Sequence, residues 1–227
     1  MAFSPDGRSL AASGTPGGVI LWRLRAVPPA GGHGPRLSLD RPVRLSAQPS
    51  KSLCFHPDGH LLAWAETSPG TNHEGALRVW DLEAGSEHPF RLSHPAGAIL
   101  SIAFRPDGKE LVRAGRDGEV EVWDIATRQR LLIPMPASLT RKAPGPGAIV
   151  ALSSDGKWLA QQAIAARVWD LEGRALLLLL PQEQSTPYCV GLSPNKEHLA
   201  VGTSDGGLVL WNLPAIRSQL AEIGLGW

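Results

Sequence analysis

The chain has 227 residues, 43% of them hydrophobic, and its 22 Lys and Arg against 21 Asp and Glu leave a formal net charge of +1. A chain of this length can bury a large core, while so balanced a charge argues against a surface selected for a phosphate backbone, so no nucleic-acid partner is expected. No apolar run approaches the roughly 18 residues that a bilayer span needs, and the start, MAFSPDGRS, lacks a charged region followed by an apolar stretch, so no membrane partner and no export are signalled and a cytoplasmic location is expected.

In chain order, Met1 to Ser4 is the stub of an inner strand that runs into the turn Ser4-Pro5-Asp6-Gly7. Leu10 to Ser13 and Val19 to Trp22 continue that first module. Arg25 to Pro49 is rich in Pro and Gly, and either Arg36 to Leu39 or Val43 to Leu45 supplies an outer strand. The second module runs from about Ser52, with Leu61 to Ala65 and Ala76 to Trp80 as its middle and third strands and the long loop TSPGTNHEG between them. Loops longer than the minimum carry function disproportionately often. His56, Asp58 and His60 alternate around the turn HPDGH, but a metal site needs further ligands that the neighbourhood does not present, so no metal is expected.

The third module is the clearest. Ile99 to Phe104 and Val120 to Trp123 alternate apolar and polar residues around Pro106-Asp107-Gly108 and Asp117-Gly118, which supply the turn chemistry. The fourth keeps Trp158 to Ala163 and Ala166 to Trp169, then RALLLLLP, five leucines that need cover if they form an edge strand. The fifth contains Gly202-Thr203-Ser204-Asp205-Gly206, a literal G-x-S-x-G. A nucleophile elbow would need a strand-to-helix turn there, whereas the segment aligns with the strand-to-strand hairpin AGRDG of the third module. After Leu213 the period changes. Ile216, Leu220 and Ile223 are spaced by four and three, with Pro214 at a first-turn position and Gly224 as a stop, which predicts a short amphipathic helix with Trp227 as a terminal anchor.

Internal repetition is the strongest signal. The first turn returns as SPDG, HPDG, RPDG, SSDG and SPNK, and the closing strand as ILWRL, RVWDL, EVWDI, RVWDL and VLWNL. Successive closing tryptophans, Trp22, Trp80, Trp123, Trp169 and Trp211, are 58, 43, 46 and 42 residues apart, against roughly 40 to 45 for a propeller blade. Cys54 and Cys189 lie in apolar runs of different modules, so they are expected as buried free thiols rather than a disulfide.

These repeats resemble the tryptophan-aspartate (WD) repeat family of β-propellers over essentially the full length. The resemblance implies an all-β fold, a β-propeller of about five four-stranded antiparallel blades with a short C-terminal helix. Blades are expected at about 1–49, 50–97, 98–146, 147–186 and 187–213, with helix and tail at 214–227. Five motifs, where seven or eight are common, leave three arrangements: a compact ring, an open arc, or the C-terminal part of a larger propeller, which is favoured. The closing segment LPAIRSQLAEIGLGW resembles the tail of bacterial WD-repeat proteins, whose longer members carry regulatory domains upstream.

The family also uses a buried hydrogen-bonded set, whose members here would be His94, Asp117 and Trp123, with Arg113 standing near the hydroxyl position. The function implied is a non-catalytic scaffold for protein partners, cytoplasmic and without cofactor. Self-association through unsealed end blades is a further expectation. Its candidate contacts are Asn72, His73 and Glu74, then Arg113, Arg116 and Asp117, then Arg141 and Lys142, and finally Thr203, Ser204 and Asp205. The five closing tryptophans and His94 are expected to be structural. The alternative is an enzyme of the hydrolase or lyase class with a pocket at the propeller axis, which would need converging acids, bases or metal ligands there.

Overall fold

The computed structural model describes residues 1–14, 17–27, 36–67, 75–94, 99–115, 119–133, 149–162, 165–181, 185 and 187–224. The chain divides into two compact units, Met1–Phe104 and Arg105–Trp227. Among the described residues the strands form five antiparallel sheets of five, five, four, four and three strands, followed by one helix. The sheets are propeller-type blades.

The first unit opens with β1 (Ala2–Phe3), β2 (Ser9–Gly14), β3 (Gly18–Val27), β4 (Arg36–Leu39) and β5 (Val43–Ser46). Both segments that could serve as an outer strand do so. The ten-residue β3 outlasts the rest of its sheet, so Val19 to Leu21 pair with β5 and Leu24 to Val27 with β4. The second module, β6 (Ser50–Phe55), β7 (Leu61–Thr67), β8 (Gly75–Asp81), β9 (Ser86–Glu87) and β10 (Leu92–His94), repeats this device, with β9 on Trp80 and Asp81 and β10 on Gly75 to Leu77. The unit ends with β11 (Ile99–Phe104).

The second unit continues with β12 (Glu110–Gly115), β13 (Val120–Asp124) and β14 (Arg130–Leu132), then the fourth module, β15 (Val150–Leu152), β16 (Trp158–Gln161), β17 (Arg167–Asp170) and β18 (Ala175–Leu179). The fifth is β19 (Pro187–Leu192), β20 (His198–Thr203) and β21 (Leu208–Asn212), leading into α1 (Leu213–Glu222). One register runs through all five modules: each closing tryptophan lies opposite a leucine of the middle strand, as Leu10 and Trp22, Leu62 and Trp80, Leu111 and Trp123, Leu159 and Trp169, Leu199 and Trp211. A one-residue slip would exchange the two faces of a sheet, so this pairing fixes which residues share a face.

The core consists of sheet-to-sheet contacts. In the first unit Ala11, Val19 and Leu21 pack against Phe55, Leu62 and Trp64. In the second, Val112, Val120 and Val122 meet Leu159, Trp169 and Leu171, and Ala160, Ala166 and Val168 meet Val190, Leu199 and Val201. Each fully buried aliphatic side chain contributes about 1.5–3 kcal/mol. The leucine run is covered on one face only: Leu178 and Leu180 are buried in the cluster between the fourth and fifth modules, while Leu179 faces outward.

Asn212 caps α1, its side-chain oxygen accepting from the Ala215 N–H at 2.9 Å, and Pro214 stands in the first turn, where its missing N–H costs nothing. Leu213, Ile216 and Leu220 pack on the last cluster. Ile223, expected in that stripe, is exposed, because the helix stops at Glu222 and Gly224 turns the chain away with φ of 78°. The anchor expected of Trp227 lies outside the described residues. No helix among them is long and apolar enough to cross a membrane.

Candidate functional site

In an antiparallel meander the connection from middle to third strand emerges at the same sheet end as the connection from outer strand to the next inner strand. The fifth module shows the two meeting. Ser185, just before β19, donates its hydroxyl to Asp205 Oδ2 at 2.7 Å, and Asp205 sits in the hairpin between β20 and β21. Asp205 Oδ1 also accepts from the Thr203 hydroxyl at 2.5 Å and the Gly207 N–H at 3.2 Å. The hairpin closes through backbone bonds from Thr203 N–H to Gly207 and from Gly206 N–H to Thr203, with Gly206 at a φ of +83° that a side chain would resist. The Thr203 hydroxyl, then the Ser185 hydroxyl and the Gly207 N–H, hold the Asp205 carboxyl down at about 2. Ser204 therefore sits in a turn between two strands, not at the strand-to-helix elbow that a serine nucleophile needs.

In the second module the same two kinds of connection are tied further inward. Ser46, at the end of β5, donates to Glu66 Oε1 at 2.6 Å. Glu66 also accepts from the Trp64 indole at 3.0 Å and pairs with Arg78 at 3.3 Å.

The third module corrects two expectations. Arg113, expected as an exposed contact, is 1% exposed and pairs with the fully buried Glu121 at 3.2 Å. It stands on β12 directly opposite Glu121 on β13, so its side chain enters the interior rather than a loop. Trp123 donates its indole N–H to Glu121 Oε2 at 3.0 Å, and Arg130 adds a second cation at 3.1 Å. A carboxylate between two guanidinium groups thus does the work that the resemblance gave to a hydroxyl. The fourth module uses an amide: Trp169 donates to Gln161 Oε1 at 3.0 Å, both residues being fully buried. Glu66, Glu121 and Gln161 were missed in the sequence. Polar residues on the buried side of otherwise apolar strands were the available signal.

The aspartates of the first turns are structural. Asp6 accepts from the Ser4 hydroxyl and the Arg8 N–H, Asp155 from the Ser153 hydroxyl and the Lys157 N–H. Asp58 binds His56 Nδ1 and the His60 N–H, so the HPDGH residues serve their turn. A cleft of about 490 Å³ in the first unit runs past Asp6, Arg8, Arg23, Asp58, His60 and Glu83, with His60 paired to Glu83 at 2.9 Å. Among the described residues, no three His, Cys, Asp or Glu are grouped to hold a metal. Both cysteines are free; burial pushes the Cys54 thiol up to about 12, whereas Cys189 is exposed, contrary to expectation.

Of the candidate contacts, then, Thr203, Ser204 and Asp205 stand together on one hairpin and Arg113 lies inside. Asn72, His73, Glu74, Arg116, Asp117, Arg141 and Lys142 fall outside the described residues. His94 ends β10, its backbone opposite Gly75.

Comparison with known proteins agrees with this architecture. The WD domain, G-beta repeat, matches residues 87–124 and 176–212. Coronin-7 of Rattus norvegicus is 33% identical over 141 residues, 62% of this chain and 13% of its own length. The target of rapamycin complex subunit LST8 of Mus musculus is 24% identical over 169 residues, 71% of this chain and 47% of its own. The protein groucho of Drosophila melanogaster is 29% identical over 154 residues, 63% of this chain and 20% of its own. The chain spans at most about half the length of these relatives. Repeated turns, a common tryptophan register and matching repeat sequence lead to one conclusion: the chain carries WD repeats at residues 87–124 and 176–212, set in sheets of the propeller type.

Proposed function

We propose that the chain is a non-catalytic scaffold that presents the connections at one end of its sheets to protein partners. The observation that carries this reading is the Ser185 to Asp205 hydrogen bond, which joins an inter-module connection to a hairpin and sets both on a rigid sheet. Rigid strands below and polar loops above let recognition vary without rebuilding the core. The relatives support a binding role through two that are named as complex subunits, from Mus musculus and Schizosaccharomyces pombe. The reading extends to a cytoplasmic location, to self-association through the end modules, and to an origin as the C-terminal portion of a larger bacterial regulatory protein. That last part rests on the resemblance of the closing segment.

A photo-crosslinking residue placed in turn at Ser204, Asn72, Arg116 and Lys142, and at Asp107 and Lys157 in the opposite turns, tests the platform. Adducts to a protein partner are expected from the first four positions only. Equal labelling from both sets would overturn the reading.

A further inference from the structure

The first turns repeat so closely that one junction between modules can be laid on another by sequence position. Asp6, Ser9 and Gly59 of the first and second modules stand where Asp155, Trp158 and Lys196 stand in the fourth and fifth. In the fourth and fifth modules this place holds a cation. Lys196 donates its ammonium to Asp155 Oδ2 at 2.6 Å and lies over the Trp158 ring, 5.0 Å from its centre, a charge-assisted bond with an aromatic face beneath it. Asp155 Oδ1 is spent inside its own turn, on the Ser153 hydroxyl and the Lys157 N–H. The space left beside the lysine is about 270 Å³.

Asp6 is set in the same way. Its Oδ1 accepts from the Ser4 hydroxyl at 2.6 Å and the Arg8 N–H at 2.9 Å, and its Oδ2 accepts no hydrogen bond among the described residues. Gly59 stands in the place of Lys196 and Ser9 in the place of the indole, and the cleft of about 490 Å³ opens there, with Asp58 and Glu83 also in its wall. The two arginines of that wall do not replace the missing ammonium. Arg23 donates to the Leu82 carbonyl at 3.3 Å. Arg8 occupies the position of Lys157, which turns to Glu172 at 3.0 Å and leaves Asp155 to the next sheet. Packing does not demand the glycine either. A Cβ at Gly59 would meet only Pro5 Cδ, at 3.7 Å, whereas at Gly156, the same position between the third and fourth modules, it would stand 2.4 Å from Pro106 Cδ.

We infer that the cleft between the first and second modules binds the lysine side chain of a protein partner, its ammonium bonding Asp6 Oδ2 as Lys196 bonds Asp155. The chain thus carries one filled and one open version of the same site, and the filled one shows what the open one takes. A lysine suits it better than an arginine, because a single carboxylate oxygen meets a compact ammonium without needing the planar two-pronged match of a guanidinium. The site lies at the turn end of the sheets, away from the hairpin end, so it goes beyond the loop platform and does not rest on it.

An NMR titration of the isotope-labelled full chain with the end-blocked peptide Ser-Gly-Lys-Gly-Ser tests it. Saturable shifts are expected at the amides of Asp6, Gly7, Gly59 and His60, and none from the same peptide with norleucine or glutamate in place of lysine. Asp6→Asn removes the charge and should weaken binding at least about 10-fold. Gly59→Lys fills the cleft from within, in the left-handed conformation that Lys196 already holds at a φ of 61°, and should abolish the shifts. Thermal melts check that both variants fold, and Gly59→Lys decides the matter if Asp6→Asn does not. No saturable shift, an equal response to norleucine, shifts at Arg8 and Arg23 with the glutamate peptide, or undiminished binding by Gly59→Lys would overturn the inference. Crosslinking from Ser204 is read independently, so failure here leaves the platform standing, and the reverse also holds.

Discussion

The third and fifth modules share one frame and fill it with opposite chemistry. Two places before the closing tryptophan, the third has Glu121 facing Arg113 across the strands, and the fifth has Val209 facing Val201. Next to that pair, Val120 and Val122 are covered in the third module while Leu208 and Leu210 are bare in the fifth. The tryptophans differ accordingly: Trp123 gives its indole N–H to Glu121, whereas the buried Trp211 Nε1 has no hydrogen-bond partner among the described residues. Backbone register therefore does not require a polar interior. A charged pair and an aliphatic pair are two ways to fill the same position, and they differ in what happens when half is removed.

The largest effect should come from breaking that pair. Glu121→Val leaves the Arg113 guanidinium buried without its carboxylate and is expected to cost about 3–5 kcal/mol. Arg113→Val with Glu121→Val copies the fifth module and should return stability to within about 1–2 kcal/mol of wild type, because neither charge is then stranded. Urea unfolding of the two variants checks this; a double variant no better than the single one would show that the modules are not interchangeable at this position.

A smaller contrast sharpens the role of the indole. Trp169→Phe removes the indole N–H that the buried Gln161 accepts and should destabilise by about 1–3 kcal/mol more than Trp211→Phe, whose indole nitrogen has no such bond to lose. Equal shifts in melting temperature would remove the hydrogen bond as the distinguishing feature.

The smallest effect concerns the hairpin of the fifth module. The Asp205 carboxyl is held at about 2, below its ordinary 3.8. Its folded value is depressed, so its contribution is fully present above about pH 4 and disappears as pH falls through about 2. A carboxyl NMR titration should find that low midpoint, and Thr203→Val should raise it toward 3.8. An unchanged midpoint would mean that the Thr203 hydroxyl does not hold the turn.

The turn of the fifth module was readable in the sequence. Gly202 to Gly206 matched the third-module hairpin in spacing, and that alignment correctly placed Ser204 in a strand-to-strand turn. Arg113 was misread because a cation beside a loop motif suggests a surface, and only the strand pairing shows Glu121 directly across from it. Cys189 was misread for a related reason. An apolar run reports that a strand is in a sheet, but not which of its side chains other strands cover. The expected outer-strand choice between Arg36–Leu39 and Val43–Leu45 dissolved because β3 is long enough for both.

What the sequence alone determined is the module: where each strand stops, which residues reverse the chain, and that five such units follow one another. These are local matters of backbone preference and alternation, settled within a few residues of each turn. Tertiary structure decided which polar side chains meet inside, and which apolar side chains another sheet covers. Burial depends on atoms that arrive from other strands, so equivalent segments such as VEVWD and LVLWN acquire different environments according to what packs beside them.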